Sequence, residues 1–261
     1  MGRKRGPLFW LTIVLVVLPG GCFVLASLTL TIYIYWPISL DEAAMPDVEP
    51  SAEHIVIISH GLRDTAETWS DALKETLSSR TREVQIISLD WNPYAQNTFR
   101  CSVDGKRLGE SLGSHLAASS NLQSLHLIAH SCGAFVSLGI CESLREHRSD
   151  VAVQSTYLDP VTVYGGLFWD FGLERFGTCA DFSDAYIDTG DDVPGSNQLL
   201  PATHTFDVTQ ARIKAGFEGS PHMWPTVFYQ RLAAAAMTPD LRSDPTVITT
   251  YPRNVLEVLR R

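Results

Sequence analysis

Positive charge is scarce in this chain. Its 261 residues carry 20 Lys and Arg against 29 Asp and Glu, a formal net charge of −9. General nucleic-acid binders build affinity by neutralising phosphates with basic side chains, so that class is excluded. Cysteine is also scarce. Five residues, one of them Cys22 within an apolar run, are too few for a disulfide framework. The chain contains no internal repeat and no low-complexity tract, and none of its His and Cys residues has the spacing of a metal site. An apolar content of 45% with only 19% charged residues rules out disorder and suffices for one sizeable core.

The longest gap in charge lies near the N-terminus. Residues 7–36 form 30 consecutive positions without a charge, preceded by Arg3, Lys4 and Arg5. About 20 apolar residues cross a bilayer, so this run is long enough to span one. The basic flank favours the cytoplasmic side, which places the remainder of the chain on the extracytoplasmic face. Tyr33, Tyr35 and Trp36 suit the far interface. An uncleaved anchor is the preferred reading. Cleavage after Val24, Leu25 and Ala26 would give a secreted protein, and Gly20-Gly21-Cys22 resembles a lipoprotein box, although Pro19 departs from it. A buried core helix is disfavoured because Pro19, Gly20 and Gly21 should break it. Residues 37–53 hold three prolines and five acids without periodicity, a linker composition. Beyond residue 36 the charge sharpens to −12.

From residue 54 the pattern alternates. His54–Ser59, Val84–Leu89, Leu125–Ala129 and Val151–Leu158 are short β-branched runs of the kind buried on both faces of a parallel sheet. Helix-like stretches at 67–79, 103–119 and 133–147 separate them. This predicts βαβ units in a mostly parallel open sheet with helices on both faces. Ligands then bind at the carboxyl ends of the strands. Ala202–Val208 reads as the last strand. Residues 161–182 place six aromatics among glycines, which suits either a core-covering insertion or a lid with an apolar face.

The residues after the strands form a constellation. Ala129-His130-Ser131-Cys132-Gly133 follows a strand and opens a helix, close to the G-x-S-x-G elbow that lifts a serine hydroxyl out of a sheet. A serine needs an imidazole to take its proton and a carboxylate to orient that imidazole. Asp159 ends one strand; Asp191 or Asp192 follows a strand-like run at 185–188. Of eight histidines, His60 and His130 read as structural, and His54, His115, His126 and His147 fall at strand starts or on helices. His204 lies within a strand. His222, in the loop 219–225 before a helical stretch, is the preferred base. The backbone amides of Leu62, after the first strand, and Cys132 are the expected oxyanion donors.

Taken together, Ser59-His60-Gly61-Leu62 with Trp69, Ser88-Leu89-Asp90-Trp91 with Arg107-Leu108-Gly109, the Ser131 elbow, Leu158-Asp159-Pro160, and His222 with Tyr229 resemble the pancreatic-lipase-like group of the α/β-hydrolases. The resemblance covers about residues 54–232. It implies an α/β-hydrolase catalytic domain at 54–261, Asp159 as the acid, amphiphilic or lipid ester substrates, and no metal or cofactor. Ala129 in place of glycine and the lack of a multi-cysteine lid frame set the chain apart, so a phospholipase or thioesterase would carry the same residues. So would a non-catalytic binding protein of this fold. Four cysteines follow the apolar segment, Cys101, Cys132, Cys141 and Cys179; an exported domain would accommodate a Cys101–Cys179 disulfide, with Cys132 as a small buried thiol, but the four allow three full pairings and the sequence does not choose among them.

Overall fold

The computed structural model describes Gly6 and residues 13–40, 45–80 and 83–259. Arg3, Lys4, Arg5, residues 7–12 of the charge-free run and residues 41–44 of the linker lie outside the described residues. The chain divides into two compact units, Met1–Ile38 and Ser39–Arg261.

In the first unit a short π-helical turn, Ile13–Val17, leads into α1, Leu18–Tyr35. The break expected at Pro19, Gly20 and Gly21 does not occur. Pro19 sits in the first turn of α1, where a missing N–H costs no hydrogen bond. Val14–Tyr35 is 22 residues of apolar helix, about 33 Å at 1.5 Å per residue, enough to cross a bilayer. Two of its hydroxyls are satisfied within the helix: those of Thr29 and Thr31 donate to the carbonyls of Leu25 and Ser27 at 2.8 and 2.9 Å.

The second unit is built on a seven-stranded sheet. Its strands are β1 His54–Ser59, β2 Gln85–Leu89, β3 Ser124–His130, β4 Ala152–Leu158, β5 Phe182–Ile187, β6 His204–Asp207 and β7 Val255–Val258. They lie in the order β2-β1-β3-β4-β5-β6-β7, and every pair is parallel. β4 and β5 are almost wholly buried because both faces of the sheet are covered. α3 (Cys101–Ala117) and α4 (Ala134–His147) bury Leu108, Leu112, Phe135 and Ile140 on one side. α2 (Ser70–Ser78), α6 (Thr209–Ala215) and α7 (Trp224–Ala234) bury Leu73, Ala211, Trp224 and Tyr229 on the other. α3 and α4 cross with their backbones in contact. A methyl at Gly139 would stand 2.2 Å from the Lys106 carbonyl oxygen, so only glycine permits that approach.

Two expectations are corrected. The strand at His204–Asp207 is not the last, since β7 pairs beyond it. β7 is short and mostly exposed, so it has no apolar pattern to announce it. Residues 161–182 are neither wholly core nor wholly lid. Phe176 is buried and Tyr164 and Phe171 stack near Phe135, while Leu167, Phe168 and Trp169 are exposed. A short helix, α5 (Phe171–Arg175), carries the buried part.

β1 has β2 on one side and β3 on the other, so the direction of winding reverses there. The loops after β1 and β3 therefore flank the crevice where such sheets bind ligands.

Candidate active site

Ser131 stands directly after β3, at the entry to α4, with φ +55°. A non-glycine residue in this region is strained, and the surroundings must hold it. They do so through close backbone packing. A methyl at Gly133 would lie 2.4 Å from the His60 carbonyl oxygen, and a methyl at Gly61 would lie 2.9 Å from Ser131 Cβ. The Ser59 hydroxyl donates to the Gly133 carbonyl at 3.2 Å, tying the end of β1 to the elbow. Left-handed backbone recurs around this point. Arg63, Asp159 and Asn197 have φ of +55°, +44° and +56°, all in loops after strands of the same sheet end.

Asp159 follows β4 and is fully buried; the amide of Val161, two residues on, donates to the Ser131 carbonyl at 3.3 Å. Asp191 follows β5 and is buried as well. His222 lies in a 3-10 turn, Pro221–Met223, leading into α7. Its Nδ1 is within hydrogen-bonding distance of both acids, 2.9 Å from Asp191 Oδ2 and 3.2 Å from Asp159 Oδ2. Its other nitrogen, Nε2, is buried with no hydrogen-bond partner among the described residues. Asp192 is exposed and turned away from this cluster. His204 is at the opposite end of the sheet, held by the Pro252 carbonyl and Glu257.

Burial pushes the Asp159 carboxyl up to about 6, partly countered by the hydrogen bond from His222. Burial also pushes Asp191 up, but hydrogen bonds from His222 and Ser196 outweigh it and bring the group down to about 2. The His222 imidazole is pushed down by burial and lifted more strongly by the two carboxylates, to about 9.

His130 is bonded to the His222 turn. Its Nε2–H donates to the His222 carbonyl at 3.0 Å, and the two rings lie 4.7 Å apart. Burial, with the neighbouring His222 charge, lowers the His130 ring to about 3, so it stays neutral and its tautomer is set by that bond. This link was not legible in sequence, where His130 read only as structural. Neither was the turn 195–197. There the Asn197 amide donates to Asp159 Oδ1 at 3.1 Å, and the Asn197 side chain donates to the Asp191 carbonyl at 2.6 Å. A Gly-Ser-Asn turn shortly after two aspartates was the available signal.

A strained serine between a central parallel strand and a helix, at the reversal of a β2-β1-β3-β4 order, decides the architecture. The domain has the α/β-hydrolase fold. No protein family's sequence profile matches the chain, and no curated protein does. Among solved structures it is similar to Aspergillus fumigatus lipase B, at 15% identity over 77% of this chain with a TM-score of 0.49; the chain spans 58% of that lipase's length. It is also similar to an α/β-superfamily hydrolase from Xanthomonas campestris, at 12% identity over 73% of this chain and 99% of the other, TM-score 0.45. A Trichoderma reesei cutinase shares 15% identity over 88% and 93% of the two chains, TM-score 0.31.

A cavity of about 260 Å³ opens beside Ser131. Leu62, Phe99, Val161, Val163, Trp169, Val193 and Pro194 line it, and no charged side chain does. The Leu62 amide has no acceptor among the described residues, and Cys132 lies in the first turn after the elbow, where amides have no intrahelical partner. The cysteine expectation is corrected. Cys101 bonds to Cys132 and Cys141 to Cys179. The start of α3 packs against the elbow, bringing the Cα atoms of Cys101 and Cys132 within 6.4 Å, while the middle of α4 faces the loop before β5. Cys132 is therefore not a free thiol.

Asp159, Asp191 and His222 also offer three ligand atoms within 4.8 Å of one another, the one such group among the described residues. His222 Nδ1, both Asp159 oxygens and Asp191 Oδ2 are engaged with each other and with Asn197 and Ser196. In that pattern His222 Nδ1 carries a proton shared between the two carboxylates.

Proposed function

We propose that the protein is a serine hydrolase of carboxylic esters, of lipase or esterase type. His222 bonded through Nδ1 to two buried carboxylates, together with a strained serine that opens on an apolar cavity, carries this reading. Ser131 Oγ attacks the acyl carbonyl carbon while His222 Nε2 takes the hydroxyl proton. The charge that develops on the carbonyl oxygen is met by the Leu62 and Cys132 amides; each such donor is worth roughly 3 kcal/mol of transition-state stabilisation. His222 then returns the proton to the departing alcohol, leaving an acyl group on Ser131. Water, deprotonated by the same nitrogen, releases the acid and restores the hydroxyl.

The cavity suits a neutral acyl chain. Its lining offers no counter-charge for an ionised group, and its size falls just below the usual range for ligand pockets, which begins at about 300 Å³. That favours short to medium acyl groups. Residues 1–36 act as a membrane anchor with the N-terminus cytoplasmic, residues 37–53 as a linker, and residues 54–261 as the catalytic domain on the extracytoplasmic face; cleavage of the segment would secrete it. Two disulfides agree with an oxidising compartment. The test is a panel of p-nitrophenyl esters from short to long acyl chains, applied to the full-length chain in detergent. The reading predicts turnover that falls with chain length. No turnover of any ester would refute it.

A further inference from the structure

The acid turns after β4 and β5 both reach the same imidazole nitrogen. A triad needs one carboxylate, and a single Nδ1–H can serve only one well at a time. Yet both are buried within hydrogen-bonding distance, and each is held by its own donors. Asp159 Oδ1 accepts from the Asn197 amide, and Asp191 Oδ2 from the Ser196 hydroxyl. Asn197 couples the two, since its amide serves Asp159 while its side chain holds the Asp191 carbonyl. Asp191 Oδ1 is buried with no partner among the described residues, so the group lies in the interior with one oxygen uncompensated.

We propose that His222 is held by both acids together, with Asp191 from the turn after β5 acting as a second positioning residue beside Asp159 rather than as a structural aspartate. This rests on the reading of Ser131 and His222 as nucleophile and base. The two acids then divide the work. Asp191 remains ionised and keeps the ring in its working tautomer, while Asp159, deeper and without access to water, takes up a proton in mildly acidic conditions. Loss of either leaves the other within reach of Nδ1. The titratable groups facing the ring are Asp159 after β4, Asp191 after β5 and His130 at the end of β3, with His60 behind His130; the two histidines add no negative charge, so the two carboxylates set the behaviour of the base.

The experiment compares wild type, Asp159→Asn, Asp191→Asn and the double variant in the full-length chain. It measures ester hydrolysis from pH 5 to 10 and follows the His222 ring by NMR titration. Each single variant is expected to keep kcat/KM within about 100-fold of wild type and to move the His222 titration below its value of about 9. The double variant is expected to lose about 10⁴-fold, the usual cost of removing a triad acid. Ser196→Ala, a milder change, should shift the titration in the same direction with a smaller effect on rate. The proposal is overturned if one single variant matches the double while the other leaves both rate and titration unchanged, or if a chelator abolishes wild-type activity. Because the NMR titration needs no turnover, it reports on the two acids even if no ester is hydrolysed, a result that would refute the enzymatic reading alone.

Discussion

Asp191 Oδ2 stands 2.9 Å from His222 Nδ1, closer than Asp159 Oδ2 at 3.2 Å. The resemblance in sequence implies Asp159 as the acid, and the structure brings both to the ring. The difference lies in the loops. The turn 191–197 folds back across the end of β4, anchored by the bond between the Thr162 amide and the Gly195 carbonyl at 2.8 Å, and this carries Asp191 to the same place.

The pH dependence follows from that pair. His222 must be neutral to accept the Ser131 proton, and the carboxylates lift its pKa to about 9. A raised pKa keeps the imidazolium form to higher pH, so kcat/KM should climb through the neutral range and level off only above about pH 9. A pH–rate profile of the wild-type protein measures this directly. A limb near the ordinary histidine value, about 6.5, would contradict it.

His130 holds the base loop through the His222 carbonyl. His130→Ala removes that bond and leaves space beside the ring. A displacement of about 1 Å at a reacting group can cost roughly 100-fold, so kcat should fall by about 10–100-fold with little change in KM. Steady-state kinetics on a short-chain ester separate the two parameters.

Gly133→Ala places a methyl 2.4 Å from the His60 carbonyl oxygen and 2.7 Å from the Ser59 carbonyl oxygen, both backbone atoms of the segment before Leu62. The elbow and the loop after β1 must then separate. We expect a loss of about 1–3 kcal/mol or more, read from thermal or urea denaturation, together with loss of activity.

The Cys101–Cys132 disulfide closes a loop across 31 positions. Replacing both residues by serine should cost about 2–4 kcal/mol, mainly by freeing the unfolded chain, and lower Tm accordingly. The same denaturation assay checks it. An unchanged Tm would show that packing between α3 and α4 holds the elbow alone.

Much of this arrangement was legible in the sequence, and the gaps have physical causes. β1 to β4 announced themselves as short runs rich in apolar and β-branched residues, as Ile55–Ile58 is within β1. β7 did not, because Leu256, Glu257 and Val258 are exposed and no periodicity is imposed on them. The backbone settings of Ser131 and His222, a tight turn after a strand and a loop before a helix, were readable because both leave local traces. The choice among acids was not, because it depends on how the 191–197 turn packs onto β4, a contact between segments more than 30 residues apart. The disulfides were missed for the same reason: Cys132 meets Cys101 only once α3 lies against the elbow.

The central claim is that Ser131 is the nucleophile. Labelling of the folded full-length protein with a fluorophosphonate probe, wild type against Ser131→Ala, tests it most directly. The account predicts covalent labelling of Ser131 in wild type and none in the variant, with ester hydrolysis lost in parallel. Equal labelling of the two proteins, or hydrolysis that survives in Ser131→Ala, would contradict it.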